Sequence, residues 1–354
     1  MKSTAEVLEL TGIPREKLYY LEDCGLLKSK KTKRGSRETR EWHDGDIDLI
    51  KRAWTYMSEG VRVKTAFERA KKEVEQRNAA LDAAPSSSMI YTFANQKGGV
   101  GKTSLCFHLA GAFADTNKRV LVIDLDQQGN LSSALIDDIY ATRGTIADLF
   151  LHDADINDLI IPTKTDGVWL IPANLDFSTV DMKMAGDKYA DEILQQKLSS
   201  IIEPFDVILI DAPPSLGIAT RAALNAAHDL IIPVECQKWS VIGTKHLDAA
   251  VTQIKARSNP NLRLAGYLIN KYKSARTVEQ QYRETLIRRH KELMFKTEIK
   301  DTVAFTEAAA VSQPITRYKK KSEESQVIVA LMREMTERYL TREQEQQSSA
   351  KRVA

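Results

Sequence analysis

The chain has 354 residues, of which 43% are hydrophobic and 28% charged, and its net charge is +3. That length suggests about two domains and is ample for a real core. With charge so nearly balanced, any nucleic-acid contact must come from a local basic surface. The three cysteines, Cys24, Cys106 and Cys236, lack metal or disulfide spacing, which fits a reducing cytoplasm. No apolar run approaches the ~20 residues of a membrane span. The opening MKSTAEVLEL carries charges where a signal peptide needs an apolar core, so a cytoplasmic protein with no membrane contact is expected.

Residues 1–78 read as a small, mainly helical unit. Ser3 and Glu6 have the spacing of a capping box and open a helix through about Leu10. Thr11-Gly12-Ile13 breaks it. Pro14 suits a first helical position, and Leu18, Tyr19 and Leu21 carry helical spacing as far as Gly25. Helix, glycine turn, helix is the helix-turn-helix plan. A basic, hairpin-like stretch follows, with Lys28, Lys30, Lys31, Lys33, Arg34, Arg37 and Arg40 around a turn at Gly35. Asp44 or Asp46 then caps another helix, with Ile47, Ile50 and Trp54 on its apolar face.

This order resembles the winged helix-turn-helix DNA-binding domain of MerR-type regulators. The resemblance rests on Gly12-Ile13, Leu18 to Glu22, Gly25-Leu26-Leu27, Arg37, Arg40 and Asp46-Ile47. Trp42 stands where that family usually has tyrosine. It implies specific DNA binding, with Lys28, Lys30, Lys31, Arg34, Arg37 and Arg40 holding phosphates from a wing. A charged helical domain for protein contacts is the alternative. Residues 79–88, AALDAAPSSS, read as a linker.

From residue 89 to 342 short aliphatic runs alternate with helical patterns. Strands are expected at 89–94, 119–124, 168–172, 206–211, 229–234 and 264–269. That is the signature of an α/β domain, a parallel sheet with helices on both faces, whose ligands bind beyond the carboxyl ends of the strands. Strand 89–94 runs into a loop containing Gly98, Gly99, Val100 and Gly101, then Lys102, Thr103 and Ser104 open a helix. Glycines let backbone N–H groups surround phosphate oxygens, and the helix N-terminus adds positive potential. Lys102 can reach the phosphates, and the Thr103 hydroxyl can ligate Mg²⁺. The ordinary phosphate-loop pattern wants glycine where this chain has Gln96, and Lys97 stands at the loop head instead. A second run, Val120 to Asn130, delivers Asp124 and Asp126 at a strand end. A third, Phe205 to Gly217, leads four aliphatics into Asp211, as in a Walker B strand.

KGGVGKT resembles the deviant Walker A motif of the ParA/MinD ATPases, and the other two runs resemble that family's DxDPQGN and IDxPPSLG, with Gln127 for the usual proline. The resemblance implies a P-loop NTPase fold, ATP and Mg²⁺ as ligands, and hydrolysis. It implies that Lys97 crosses a dimer interface to the partner's phosphates. It also implies that Asp126 orients the attacking water, that Asp124 and Asp211 support the metal, and that Asn270 lies near the adenine. Relatives of the ParA type bind nonspecific DNA through basic residues here matched by the tract that includes Arg276, Arg288 and Arg289. Interleaved Glu279, Glu284 and Glu292 make a solvated helix face an equal reading of that tract. A nucleoid-associated partition ATPase is implied, an ATP-dependent homodimer with a ParB-like centromere-binding activator, able to repress its own operon. A transcriptional regulator with ATP-controlled dimerisation and a MinD-like positioning ATPase for a non-DNA cargo are the alternatives. Past Ser322 a packed helix is expected. Its many glutamates oppose an anionic lipid surface, and residues 343–354 read as a disordered tail.

Overall fold

This computed structural model describes residues 2–34, 37–43, 46–82, 88–201, 205–237, 245–273 and 275–353. Contacts divide the chain into two units, Met1–Ala83 and Ala84–Ala354.

In the first unit the capping box forms as the sequence predicts. Ser3 Oγ accepts from the Glu6 N–H, and Glu6 Oε2 accepts from the Ser3 N–H at 2.8 Å. Helix α1 (Thr4–Thr11) stops at Gly12, whose φ of 68° is the left-handed conformation that glycine adopts without a Cβ clash. Helix α2 spans Arg15–Asp23, with Pro14 as its N-cap rather than its first residue. Strands β1 (Lys2–Ser3), β2 (Lys30–Arg34) and β3 (Arg37–Trp42) make a three-stranded antiparallel sheet in the order β1-β3-β2. The expected turn residue Gly35 lies outside the described residues. Helices α3 (Asp46–Ser58) and α4 (Val63–Asp82) pack on each other. Val7, Leu18, Leu21, Trp42, Ile50, Ala53 and Phe67 form the core. The Trp42 indole donates to Thr4 Oγ1 at 3.1 Å, so the tryptophan's one polar atom is satisfied in the interior.

The second unit is a seven-stranded sheet in the order β10-β9-β4-β8-β5-β7-β6. Its strands are β4 (Met89–Phe93), β5 (Val120–Asp124), β6 (Ile161–Pro162), β7 (Val168–Ile171), β8 (Val207–Asp211), β9 (Asp229–Val234) and β10 (Arg263–Ile269). All pairs are parallel except β6–β7. Strands β5 and β8 are buried at every position because each feeds two cores. Leu121, Ile123, Ile208 and Ile210 face one core, which includes Ala222 and Leu224 from helix Ile218–Ala226. Val120, Val122, Val207 and Leu209 face the other. There they meet Leu105, Leu109 and Phe113 of helix α5 (Lys102–Ala114) and Leu331, Met335 and Tyr339 of the C-terminal helix. This two-sided burial is why the strands read as unbroken aliphatic runs. The unit is thus an α/β fold, a mostly parallel sheet with helices packed on both faces.

Three features differ from the sequence reading. Helix α4 runs on to Asp82, so positions 79–82 of the expected 79–88 linker are helical. Strand β6 is a two-residue antiparallel edge that no periodicity signals. The C-terminal helix runs Glu323–Val353, where a disordered tail was expected from residue 343. Where this extension starts, Arg342 donates to Asp229 Oδ1 and to the Leu264 carbonyl, both at 2.8 Å, and Glu343, the first residue of the extension, lies 3.6 Å from Arg263.

Candidate nucleotide-binding site

Strands β4, β8 and β5 are parallel neighbours, so their carboxyl ends lie side by side at one edge of the sheet. Asp124 and Asp211 are direct cross-strand partners, and Phe93, just before the phosphate loop, pairs with Asp211 on the other side. The topology therefore gathers the three motifs at one place.

The loop from Ala94 to Gly101 leads into α5, with Gly101 as its N-cap at φ 89°. A Cβ there would stand 2.3 Å from Asn270 Nδ2, so both backbone conformation and space require glycine. Gly98 and Gly99 are exposed, Val100 is buried, and Thr103 and Ser104 are half-buried in the first turn of α5. Lys102 is buried, and its Nζ donates to the Asn95 carbonyl at 3.3 Å. Burial pulls its pKa down, while Asp211 and Asp126 work the other way.

The acids are in different states. Asp124 is fully buried, and its Oδ2 accepts from the Ser132 N–H at 3.0 Å and the Ser132 hydroxyl at 2.8 Å. Its Oδ1 accepts from the Asp126 N–H at 3.0 Å. Burial raises its pKa to about 6, against these hydrogen bonds. Asp124 thus organises the loop that carries Asp126. Asp126 is half-buried, and its Oδ1 accepts from the Gln128 N–H at 3.0 Å. Asp211 is buried at 1% exposure, and neither carboxylate oxygen has a hydrogen-bond partner among the described residues. Burial, then the neighbouring Asp124 charge, pushes its pKa well up. The nearby Thr103 hydroxyl opposes this without completing a hydrogen bond, and Lys102 opposes it as well. An unpartnered buried carboxylate close to a hydroxyl suits a hard cation with oxygen ligands. No group of three or more His, Cys, Asp or Glu able to hold a metal occurs among the described residues. A Mg²⁺ bound here would therefore draw on Asp211 and Thr103 and on oxygens from outside the protein. Of the three expected metal residues, Asp124 has both oxygens already engaged.

Lys97 does not point into the cradle. Its Nζ is ion-paired with Glu235 and donates to Gln237 Oε1 at 2.8 Å. The loop head is fixed by Asn95, which accepts from the Lys97 N–H at 2.9 Å and donates to the Pro233 carbonyl at 2.7 Å. Asn270 packs against the phosphate loop and donates to the Val100 carbonyl at 2.7 Å. Sequence reasoning missed Ser132, Glu235 and Gln237. For the last two a signal existed, since they follow directly on β9 at the same sheet edge as the other motifs.

The expected DNA-contacting residues lie apart from this cradle. Arg276, Arg288 and Arg289 are exposed at the start and end of helix Thr277–His290, and Arg276 is 3.2 Å from Glu279. In the first unit Lys28, Lys30 and Lys31 are exposed. Lys31 is 3.8 Å from Glu22. Arg40 is held 3.3 Å from Glu22 and 4.2 Å over the Tyr19 ring, which makes it a packing residue as much as a surface cation. Arg34 and Arg37 pair in the β2–β3 register, and their side chains lie outside the described residues.

Comparison with known proteins agrees with this geometry. The family described as AAA domain matches residues 88–264, half of the chain. The chromosome partitioning protein ParA of Myxococcus xanthus is 31% identical over 249 residues, 70% of this chain and 88% of that protein. The sporulation initiation inhibitor protein Soj of Bacillus subtilis is 30% identical over 246 residues, 70% of this chain and 97% of that protein. The crystal structure of cobyrinic acid a,c-diamide synthase from Mycobacterium smegmatis with bound ADP and magnesium is 28% identical. It superposes with a TM-score of 0.57 over 67% of this chain and 97% of that one. With a glycine loop, a buried lysine and an open carboxylate at one sheet edge, and with such relatives, the chain belongs to the ParA/MinD-type P-loop ATPases.

Proposed function

We propose that this protein is a DNA-partition ATPase that binds ATP with Mg²⁺, dimerises on it, binds DNA and hydrolyses the nucleotide. One observation carries the reading. The phosphate loop, Lys102, Asp126 and the unpartnered Asp211 converge on one sheet edge of a chain similar to ParA and Soj.

The chemistry follows from those positions. Backbone N–H groups of Gly98 to Thr103 and the Lys102 ammonium hold the phosphates. Asp211 and the Thr103 hydroxyl would hold Mg²⁺, which would supply positive charge against the phosphates. Asp126, half-buried at the cradle's rim, orients the attacking water. Asp124, with its oxygens bonded to Ser132 and the Asp126 N–H, keeps Asp126 in place. By resemblance Lys97 serves the partner's phosphates across an ATP-bound dimer. To do so it must leave Glu235 and Gln237, which hold it here.

The family match begins at residue 88 and leaves the first unit to be argued from its own residues. We read that unit, residues 1–78, as a MerR-like winged helix-turn-helix that contacts specific DNA. Exposed Lys28, Lys30 and Lys31 lie next to a two-helix motif, and α2 supplies the base-reading surface. Arg276, Arg288 and Arg289 of the second unit then give nonspecific, dimer-dependent binding, and a ParB-like protein accelerates turnover. No helix among the described residues is long and apolar enough to cross a membrane.

The test is a DNA-binding titration with ATP, ADP and no nucleotide, on operator and random duplexes across a salt series. ATP-dependent binding to random DNA, with turnover stimulated by it, is the expected result. Slow turnover with operator binding alone would instead favour a regulator whose ATPase unit controls dimerisation.

A further inference from the structure

Two consecutive residues at the end of β10 grip the phosphate loop from outside. Asn270 Nδ2 donates to the Val100 carbonyl and Lys271 Nζ to the Gly99 carbonyl, each at 2.7 Å. Successive side chains of a strand point to opposite faces, so two neighbours do not ordinarily reach one loop. Here the chain kinks. Lys271 has φ 55°, a left-handed conformation uncommon for lysine. The kink is held on either side, by the Asn270 N–H on the Val234 carbonyl at 2.8 Å and the Tyr272 N–H on the Ile299 carbonyl at 3.0 Å. Unfavourable backbone of this kind persists where the surroundings enforce it, and it gathers at functional sites.

The peptide unit is planar and trans, so its C=O and N–H point in opposite directions. A donor that pulls the Gly99 carbonyl outward therefore turns the Val100 N–H inward. A donor on the Val100 carbonyl does the same for the Gly101 N–H. These are amides that a phosphate cradle must present. Gly101 permits the contact, since any side chain there would meet Asn270 at 2.3 Å.

We propose that Lys271 and Asn270 are positioning residues for the phosphates. They fix the Gly99 and Val100 carbonyls outward and so set the loop amides before ligand arrives. This rests on the reading of the loop as the phosphate site. It assigns Asn270 a role beyond contact with the base, and gives Lys271, read from the sequence only as part of the basic tract, a role at the phosphate loop.

The experiment uses the full chain with Mg²⁺. Affinities for ATP and for inorganic tripolyphosphate are measured by calorimetry for wild type, Lys271→Met and Lys271→Arg. Hydrogen exchange of the Gly98–Gly101 amides is followed in the ligand-free proteins. Lys271→Met should weaken both ligands by the same factor, roughly threefold to tenfold as for a half-screened charged hydrogen bond. It should speed exchange of the loop amides and leave the thermal midpoint unchanged, because Lys271 is exposed. Lys271→Arg should restore most of the affinity. Tripolyphosphate affinity unchanged in Lys271→Met, or a loss confined to ATP, would overturn the proposal. So would weaker binding with unchanged loop exchange, which would reduce Lys271 to a remote charge. A wild type that binds neither ligand would instead refute the phosphate site itself, and the brace with it.

Discussion

Asp211→Asn should make the ligand-free protein more stable while removing its response to Mg²⁺ and ATP. Asp211 is buried and neither of its oxygens has a hydrogen-bond partner among the described residues, and burial beside Asp124 pushes its pKa well up. In the unfolded chain the carboxyl ionises near its ordinary value. A raised folded pKa means that the folded state binds more protons in between, so stability is fully present below the unfolded pKa and falls as pH rises through the folded one. A buried charge left without a partner costs about 3 kcal/mol at the low end of the usual range. Asparagine removes such a charge penalty but adds an amide that also lacks partners, which costs about 1–2 kcal/mol. A net gain of about 1–2 kcal/mol remains, or roughly 2–6 °C in Tm for a unit of this size. Calorimetric unfolding at pH 6 and pH 8, without and with Mg²⁺ and ATP, measures it. The variant's advantage should be larger at pH 8 and should vanish or reverse with ligand, because only the wild type gains from the metal. A variant that unfolds below wild type in ligand-free buffer at pH 8 would refute the reasoning.

Other outcomes follow from the same geometry. Asp126→Ala should bind ATP but hydrolyse it slowly and accumulate as an ATP-dependent dimer, since attack geometry is lost while phosphate contacts stay; sizing with ATP and Mg²⁺ that shows only monomer would contradict the dimer. Glu235→Gln frees Lys97 and should raise basal phosphate release by about twofold to fivefold, the range for a half-exposed ion pair, whereas Lys97→Ala should impair turnover and spare binding. Normal turnover by Lys97→Ala would remove that lysine from the mechanism. His108 is buried, accepts from the Ile315 N–H at 3.0 Å, and is pushed by burial from 6.5 down to about 4. The folded state thus binds fewer protons between those values, and stability worth about 3 kcal/mol is lost as pH falls through that window. His108→Gln should flatten the acid side of the Tm–pH curve between pH 7 and 4, and an unchanged slope would exclude His108 as its source.

The second unit was legible because its strands are buried on both faces. That burial writes each strand as an aliphatic run, and the runs of β5 and β8 end in the acids of the site. The glycine loop was legible because its conformation tolerates few residue types. What stayed hidden was short or distant. Strand β6 has two residues, too few for any period. The C-terminal helix runs past the expected boundary, and the contact at that boundary, Arg342 with an aspartate 113 positions earlier in the chain, is one that no local pattern reports.

Residue type also hides state. Asp124 and Asp211 sit opposite each other on neighbouring strands, at the ends of similar aliphatic runs, and from the sequence both are simply acids near a phosphate loop. The fold separates them through one serine. Ser132, eight residues after Asp124, gives that carboxylate two hydrogen bonds, and nothing among the described residues does so for Asp211. One acid is thereby committed to holding its loop, and the other keeps both oxygens free of hydrogen bonds among the described residues. The same logic separates the two lysines of the loop. Lys102 is enclosed beside the acids, while Lys97 is drawn to a glutamate 138 residues away. The site's chemistry is set by which of two like groups has found a partner, and those partners are fixed by the order of the strands, not by the motif that contains the group.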